Sequence, residues 1–257
     1  MNSNIDIVIA GYPKSGTHWI SHLVKDLINA DHVLDLTSSD DLEVTTDAID
    51  RCWKTHLTYP EIVQAFKGRN FKLINVTRDP RDVAISGSYF FPFVNPKVRA
   101  FFRIIPGGDF VYDRIKWWLS SRLSIEYKRA LMIAAVLHGD RRINEWCEIS
   151  WKSYVRSFFG SDALGLKYED MLDKPEEECR KIRAFVARDW SDTEIAQSGE
   201  KFSFKNQKPI QKFGYTVLRK GERGYWKNEM DQAQVADFEI FMGEEMEAFG
   251  YELSEHS

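Results

Sequence analysis

The feature that most constrains this chain is a change of hydrophobic rhythm close to its start. Residues 7–10 read Ile-Val-Ile-Ala, an unbroken apolar run, and lead into Gly11-Tyr-Pro-Lys-Ser-Gly16. From Thr17 onward the apolar positions Trp19, Ile20, Leu23, Val24, Leu27 and Ile28 recur at helical spacing. A continuous apolar run suits a strand buried on both faces, whereas the second pattern gives a helix with one apolar stripe. The chain therefore begins as strand, tight loop and helix, with the helix amides and its positive end facing the loop. Such a junction suits an oxyanion. Gly11 and Gly16 have the glycine spacing of a Walker A loop, but that motif's lysine follows the second glycine and Lys14 precedes it. The amide cradle is kept and the charge is moved, which argues against an ATPase.

The same rhythm recurs along the chain. Cys52-Trp-Lys-Thr55 reads as a short strand with His56 just beyond its end, and Pro60 starts a short helix ending near Gly68. Phe71–Thr77 is the best later strand, and Pro80 fits the first turn of the helix after it. Ala163–Tyr168 resembles another strand, and Pro175 precedes a helix through about Ala187. Residues 35–50 are acidic and polar and read as a connection, while residues 142–159 read as a helix. Near the end, Val235, Phe238, Phe241, Met242, Met246 and Phe249 recur helically and are core contacts, not a cofactor box. Strands alternating with helices predict an α/β, P-loop-like three-layer fold with a central, mostly parallel sheet. Residues 1–257 are expected as a single domain with its site at the carboxyl edge of the sheet.

Between Ser88 and about Leu137 the pattern breaks. Phe90, Phe91, Phe93, Phe101, Phe102, Phe110, Tyr112, Trp117 and Trp118 are interrupted by Pro92, Pro96, Pro106 and Gly107-Gly108. One extended element does not fit those breakers. Residues 90–137 are expected as an aromatic-rich insertion or lid on the substrate side, with satellite packing as the blander reading.

With 35 basic and 39 acidic residues, the chain carries a formal net charge of -4, without the basic balance of a nucleic-acid binder. Cys52, Cys147 and Cys179 are odd in number and widely spaced, so neither a disulfide framework nor a zinc cluster follows. No uninterrupted apolar stretch could span a bilayer, and Met1–Asp6 lacks a basic segment leading into an apolar core. A cytoplasmic protein is expected, with no nucleic-acid partner and no stable membrane insertion. His18 and His22 share helix spacing but lack a completed set of metal ligands, and no metal is expected. Asp79, Arg81 and Asp82 read as a surface salt-bridge patch.

Five separated stretches then converge. Tyr12-Pro-Lys-Ser-Gly-Thr-His-Trp19, Lys54-Thr-His-Leu57, Arg78-Asp-Pro-Arg-Asp-Val-Ala-Ile-Ser86, Tyr168-Glu-Asp-Met171 and Arg219-Lys-Gly-Glu-Arg-Gly-Tyr-Trp-Lys-Asn228 resemble the motifs of cytosolic-type sulfotransferases. Their order and joint occurrence make the resemblance specific, and it spans most of the chain. It implies binding of 3'-phosphoadenosine-5'-phosphosulfate (PAPS) and transfer of its sulfuryl group. By resemblance, Lys14, Ser15, Gly16 and Thr17 surround the 5'-phosphosulfate, with His18 in the same stretch and Trp19 near the adenine. Arg78 and Ser86 resemble the pair that recognises the 3'-phosphate, joined by Arg219, Lys220 and Gly221. Tyr168 resembles an adenine contact, and Phe204, within Lys201-Phe-Ser-Phe-Lys205, resembles a second one. His56 resembles the general base that takes the acceptor proton, and Lys54 the lysine that holds the transferring group.

The resemblance departs at Tyr225, where the family usually has aspartate, and this leaves the closure of that loop and its subunit contacts, including a homodimer, open. The implied acceptor is a hydroxyl of a small organic molecule or natural product. An amine or amide nitrogen, or a carbohydrate, is the alternative. A nucleotide-dependent kinase is the rival class, and it would need the lysine in its Walker position and a Mg²⁺ system.

Overall fold

The structure, a computed structural model, describes residues 5–38, 50–94, 96–203, 206, 211–212, 215–216 and 221–254. Five strands form one sheet: β1 (Asp6–Gly11), β2 (Val33–Leu36), β3 (Arg51–Thr55), β4 (Phe71–Thr77) and β5 (Leu164–Lys167). Their order is β2-β3-β1-β4-β5, and every neighbouring pair is parallel. Parallel neighbours need crossovers, and helices lie in several of the connections and after the last strand of the sheet. These are α1 (Thr17–Leu27), α2 (Tyr59–Ala65), α3 (Pro80–Phe90), α4 (Pro96–Arg103), α5 (Gly108–Ser121), α6 (Ile125–His138), α7 (Trp151–Arg156), α8 (Tyr168–Asp173), α9 (Pro175–Val186), α10 (Asp192–Lys201) and α11 (Gln232–Ala248). A short antiparallel pair joins β6 (Gln211–Lys212) to β7 (Tyr215–Thr216).

The chain divides into two compact units, Met1–Arg78 with Ser153–Lys208, and Asp79–Lys152 with Pro209–Ser257. The first holds the whole five-stranded sheet. Its central strand β1 is buried along its full length, as an apolar run on both faces requires. Ile5, Ile7 and Ile9 share a core with Ile20, Leu23 and Val24 of α1, Ile182 of α9 and Ile195 of α10. Elsewhere in this unit, Phe66, after α2, packs edge-on against Trp53 at 5.7 Å, and Tyr12 packs against Tyr154 of α7 at 5.7 Å.

The second unit is mainly helical. Helix α3 packs on α6 so closely that a Cβ at Gly87 would lie 2.7 Å from the Met132 side chain. Val235, Phe238, Met242 and Met246 of α11 are buried, as their recurrence predicts, while Phe241 is 45% exposed and meets His138 edge-on at 4.8 Å.

Several sequence expectations change. Strand β2 lies partly in the stretch read as a connection. Residues 142–159 do not form one helix. Asp140 and Asn144 accept hydrogen bonds from the backbone N–H groups two residues ahead, at 2.9 Å each, which turns the chain into a short 3-10 segment, Glu145–Cys147, before α7. The breakers after Ser88 separate helices: Gly107, at φ 74, caps α5, and the Ser124 hydroxyl caps α6. Phe202 is the C-cap of α10, while Phe204 falls outside the described residues.

Asp79, Arg81 and Asp82 are buried, so the surface-patch reading fails. Arg81 is 1% exposed. It donates to Asp79 through Nε at 3.0 Å and Nη2 at 2.8 Å, and Nη2 also reaches the Glu252 carbonyl at 2.8 Å. Its guanidinium lies 3.8 Å from the centre of the Trp226 ring. Asp82 accepts the N–H groups of Gly224 at 2.7 Å and Trp226 at 2.9 Å.

Candidate active site

Parallel register decides where the first unit places its reactive groups. Ala10 pairs with Thr55, Gly11 with Val76 and Thr77 with Lys167. Strands β1, β3, β4 and β5 therefore end at one edge of the sheet, and the next residue after three of them is His56, Arg78 or Tyr168. The fourth, β1, runs into the loop that carries Lys14. Loops beyond the carboxyl ends of parallel strands are where open α/β sheets bind ligands.

The loop is shaped to leave amides available. The Ser15 N–H bonds the Tyr12 carbonyl at 3.0 Å, Lys14 takes φ 71 and Gly16 takes φ 97. A Cβ at Gly16 would lie 2.5 Å from the Tyr168 ring, so this position needs glycine for both space and conformation. Helix α1 starts at Thr17 with no side-chain cap and no acidic residue in its first turn. Its first amides and positive end thus lack an internal anion. The Ser15 hydroxyl oxygen is fully buried without a hydrogen-bond partner among the described residues. An uncapped helix start beside an unsatisfied hydroxyl fits an oxyanion such as a phosphate or phosphosulfate.

His56 is fixed by its backbone surroundings. Its Nδ1 lies 2.7 Å from the Gly11 carbonyl oxygen, which can only accept, so Nδ1 carries the proton and Nε2 is the ring's basic nitrogen. Burial pulls the imidazole down to about 4, and Lys54 and Lys14 push in the same direction, while the Gly11 carbonyl and Asp35 oppose them. Lys54 is held 2.5 Å from Asp35 of β2, a partner that the sequence reading missed because β2 was missed. His18 lies in the same field. Its imidazole is also lowered to about 4, mainly by burial and then by His22, Lys54 and Lys14, and its ring meets His22 edge-on at 4.4 Å.

A ring stack forms the next part of the unit. The Arg78 guanidinium sits 4.3 Å from the centre of the Tyr168 ring, and Arg78 Nη1 donates to the Lys14 carbonyl at 3.3 Å. Tyr168 meets Trp19 edge-on at 5.6 Å, and the Trp19 indole N–H donates to the Phe202 carbonyl at 2.6 Å. Lys14, Gly16, Trp19, Arg78 and Tyr168 are thereby brought together.

The remaining candidates belong to the second unit or lie outside the described residues. Ser86 is half-buried on α3. Gly221 takes φ 63, a conformation natural to glycine. Arg219 and Lys220 lie outside the described residues. The sequence reading missed Asp82, whose two accepted N–H groups tie the Gly224–Trp226 turn to α3. Among the described residues, no group of three or more His, Cys, Asp or Glu side chains could hold a metal ion. No helix among them is long and apolar enough to cross a membrane.

Comparison with known proteins gives a consistent result. The sulfotransferase domain matches residues 4–250. Sulfotransferase 1B1 of Canis lupus familiaris is 28% identical over 94% of this chain and 83% of that protein. The 3-alpha-hydroxysteroid sulfotransferase of Cavia porcellus is 23% identical over 95% of this chain and 84% of its own. Among solved structures, mouse sulfotransferase SULT7A1 complexed with PAP superposes with a TM-score of 0.65 at 25% identity, covering 96% of this chain and 86% of that one.

Proposed function

The chain belongs to the sulfotransferase domain family, and on that premise we propose that it moves the sulfuryl group of PAPS to a hydroxyl of a small organic acceptor, with His56 as general base. The observation that carries this reading is the strand-end arrangement of His56 on the Gly11 carbonyl beside the uncapped start of α1. When bound, PAPS supplies the sulfuryl group and leaves as 3'-phosphoadenosine 5'-phosphate (PAP).

The chain's own residues divide the work. The loop from Lys14 to Thr17 holds the 5' end, where Lys14 offsets the charge that grows on the departing phosphate. Lys54 holds the transferring group. Trp19 and Tyr168 supply ring area for the adenine, with His18 flanking Trp19 in the loop-to-helix stretch. Arg78 and Ser86 hold the 3'-phosphate through a planar donor fork and a hydroxyl, and Gly221 lets backbone amides approach it. Phe204, Arg219 and Lys220 are assigned to the same nucleotide. The His56 Nε2 takes the proton from the acceptor hydroxyl as its oxygen attacks sulfur.

The low position of His56 is compatible with this duty. Burial is the main cause of the lowering and keeps the ring neutral, so Nε2 holds no proton of its own before the acceptor arrives. Lys54 and Lys14 add smaller contributions, which an anion beside them would offset. A base also matters more for a hydroxyl than for an amine, whose nitrogen lone pair attacks without prior proton removal. The aromatic segment 90–137 is assigned to the substrate side.

Calorimetry with equal concentrations of PAP and ATP tests the nucleotide assignment. PAP is expected to bind more tightly, because Arg78 and Ser86 recognise a 3'-phosphate that ATP lacks. Equal or tighter ATP binding overturns the assignment and favours a kinase. Mass analysis of a cell extract incubated with protein and PAPS then identifies the acceptor by its added sulfuryl group.

A further inference from the structure

We infer that the second unit carries a binding cavity for an aromatic acid. Its volume is about 880 Å³, within the range of about 300–1,000 Å³ usual for small-molecule sites. Phe91, Tyr112, Trp117 and Trp146 contribute flat apolar area to its lining. Its charge is as distinctive as its rings. Arg99, Arg103, Lys116, Arg141 and Arg142 line it against only Asp113 and Glu145, five cations to two carboxylates. The whole chain carries -4, so this positive excess is local.

Among the described residues, ion pairs take up three of those five cations and leave Arg99 and Arg103. Lys116 is held by Asp113 at 2.8 Å, and Arg142 is held by Asp140 at 2.8 Å. Arg141 reaches Glu148 only at 3.8 Å. Arg99 donates to the Arg142 carbonyl at 3.3 Å and lies 5.9 Å from the centre of the Tyr112 ring. Arg103 makes no ion pair among the described residues. Arg99 and Arg103 stand four residues apart on α4, hence on one face of that helix. Two guanidinium groups so placed present planar donors suited to a carboxylate.

A neutral apolar ligand would leave those donors without partners, and a cation would meet net positive charge. An aromatic carboxylate satisfies both features, with its rings among Tyr112, Trp117 and Trp146 and its acid group toward Arg99 and Arg103. The cavity is lined largely by the aromatic segment assigned above to the substrate side, so the inference rests on that reading for the ligand's role, while its test concerns binding alone.

The test uses 2-naphthoate and its neutral counterpart 2-naphthamide, titrated calorimetrically into the full chain. Naphthoate is expected to bind at least about tenfold more tightly, a modest demand on charge-assisted bonds. The Arg99→Gln/Arg103→Gln double variant changes exposed side chains, so it should remain folded. It is expected to remove the preference while leaving naphthamide affinity unchanged, and Trp117→Leu is expected to weaken both ligands. Equal affinities in the unaltered protein, or a preference that survives the double variant, would overturn the inference. Displacement of naphthoate by PAP would also overturn it, by placing the acid in the nucleotide site.

Discussion

The two units place their polar groups by different physical means. In the first, four parallel strands end at one edge, and the positions of His56, Arg78 and Tyr168 follow from backbone register. In the second, the cavity is walled by side chains on α4, α5 and the 3-10 segment, with no ladder to fix them. The strand ends carry uncapped helix amides, Lys54 and an imidazole kept neutral by burial, whereas the cavity wall carries arginines at the surface. Register fixes positions at the sheet edge, whereas side chains on the helical wall can be exchanged one at a time. Exchanging an exposed arginine on α4 is expected to alter the cavity's ligand preference without disturbing any strand.

The largest effect is expected from removing the imidazole while keeping its backbone bond. His56→Asn retains an N–H donor for the Gly11 carbonyl but has no basic ring nitrogen. Turnover is expected to fall by about 10²–10⁴-fold, with PAP affinity measured by calorimetry left near its original value. Similar turnover in the two proteins would remove His56 from the base role. Loss of PAP binding as well would show that His56 holds the loop and does not act only on the acceptor.

A smaller effect is expected where the second unit does contain a backbone-defined feature. Asp82 is 1% exposed and accepts two N–H groups from the Gly224–Trp226 turn. Asp82→Ala leaves both donors without that partner and deprives the buried cluster around Arg81 of a nearby carboxylate. A loss of roughly 2–5 kcal/mol in stability is expected, read from the urea midpoint at unchanged slope. A change below about 0.5 kcal/mol, the ordinary range for surface positions, would return Asp82 to the surface-patch reading.

These contrasts also explain what the sequence made legible. The strand-loop-helix start, β4 and the strand-end positions of His56 and Arg78 were readable because hydrophobic rhythm and motif spacing are local properties. Strand β2 was not, because its four residues, Val-Leu-Asp-Leu, are too few to display a period, and with it went the Asp35 partner of Lys54. Helix α10 buries Ile195 but little other apolar surface, yet its signal was present: Ser191 and Glu194 form a capping box. The burial of Asp82 could not be read locally, because its partners lie 142 and 144 residues away. In the aromatic segment, ring content did not separate wall from surface. Trp117 lines the cavity, while its neighbour Trp118 is 58% exposed.

The two units are also expected to differ in their response to acid. His18 and His56 are each lowered by burial from the ordinary 6.5 to about 4. Between those values the unfolded chain holds more protons at both positions than the folded chain does. Stability therefore rises with pH across that window and is lost as pH falls from 6.5 toward 4. Asp140 in the second unit behaves in the opposite sense: its hydrogen bond from Arg142 holds the carboxyl below its ordinary 3.8. Its contribution is present above 3.8 and declines only at lower pH, as the folded-state carboxyl takes up its proton. Urea midpoints measured from pH 7 down to pH 4.5 separate the two groups. The unaltered protein is expected to lose stability steadily below pH 6.5, and the His18→Asn/His56→Asn variant to lose less over the same range. Asp140→Asn should shift the midpoint by a constant amount and leave the slope across that range unchanged. An equal slope in the double histidine variant would mean that acid sensitivity originates elsewhere, and the neutral-imidazole account of the sheet edge would fail with it.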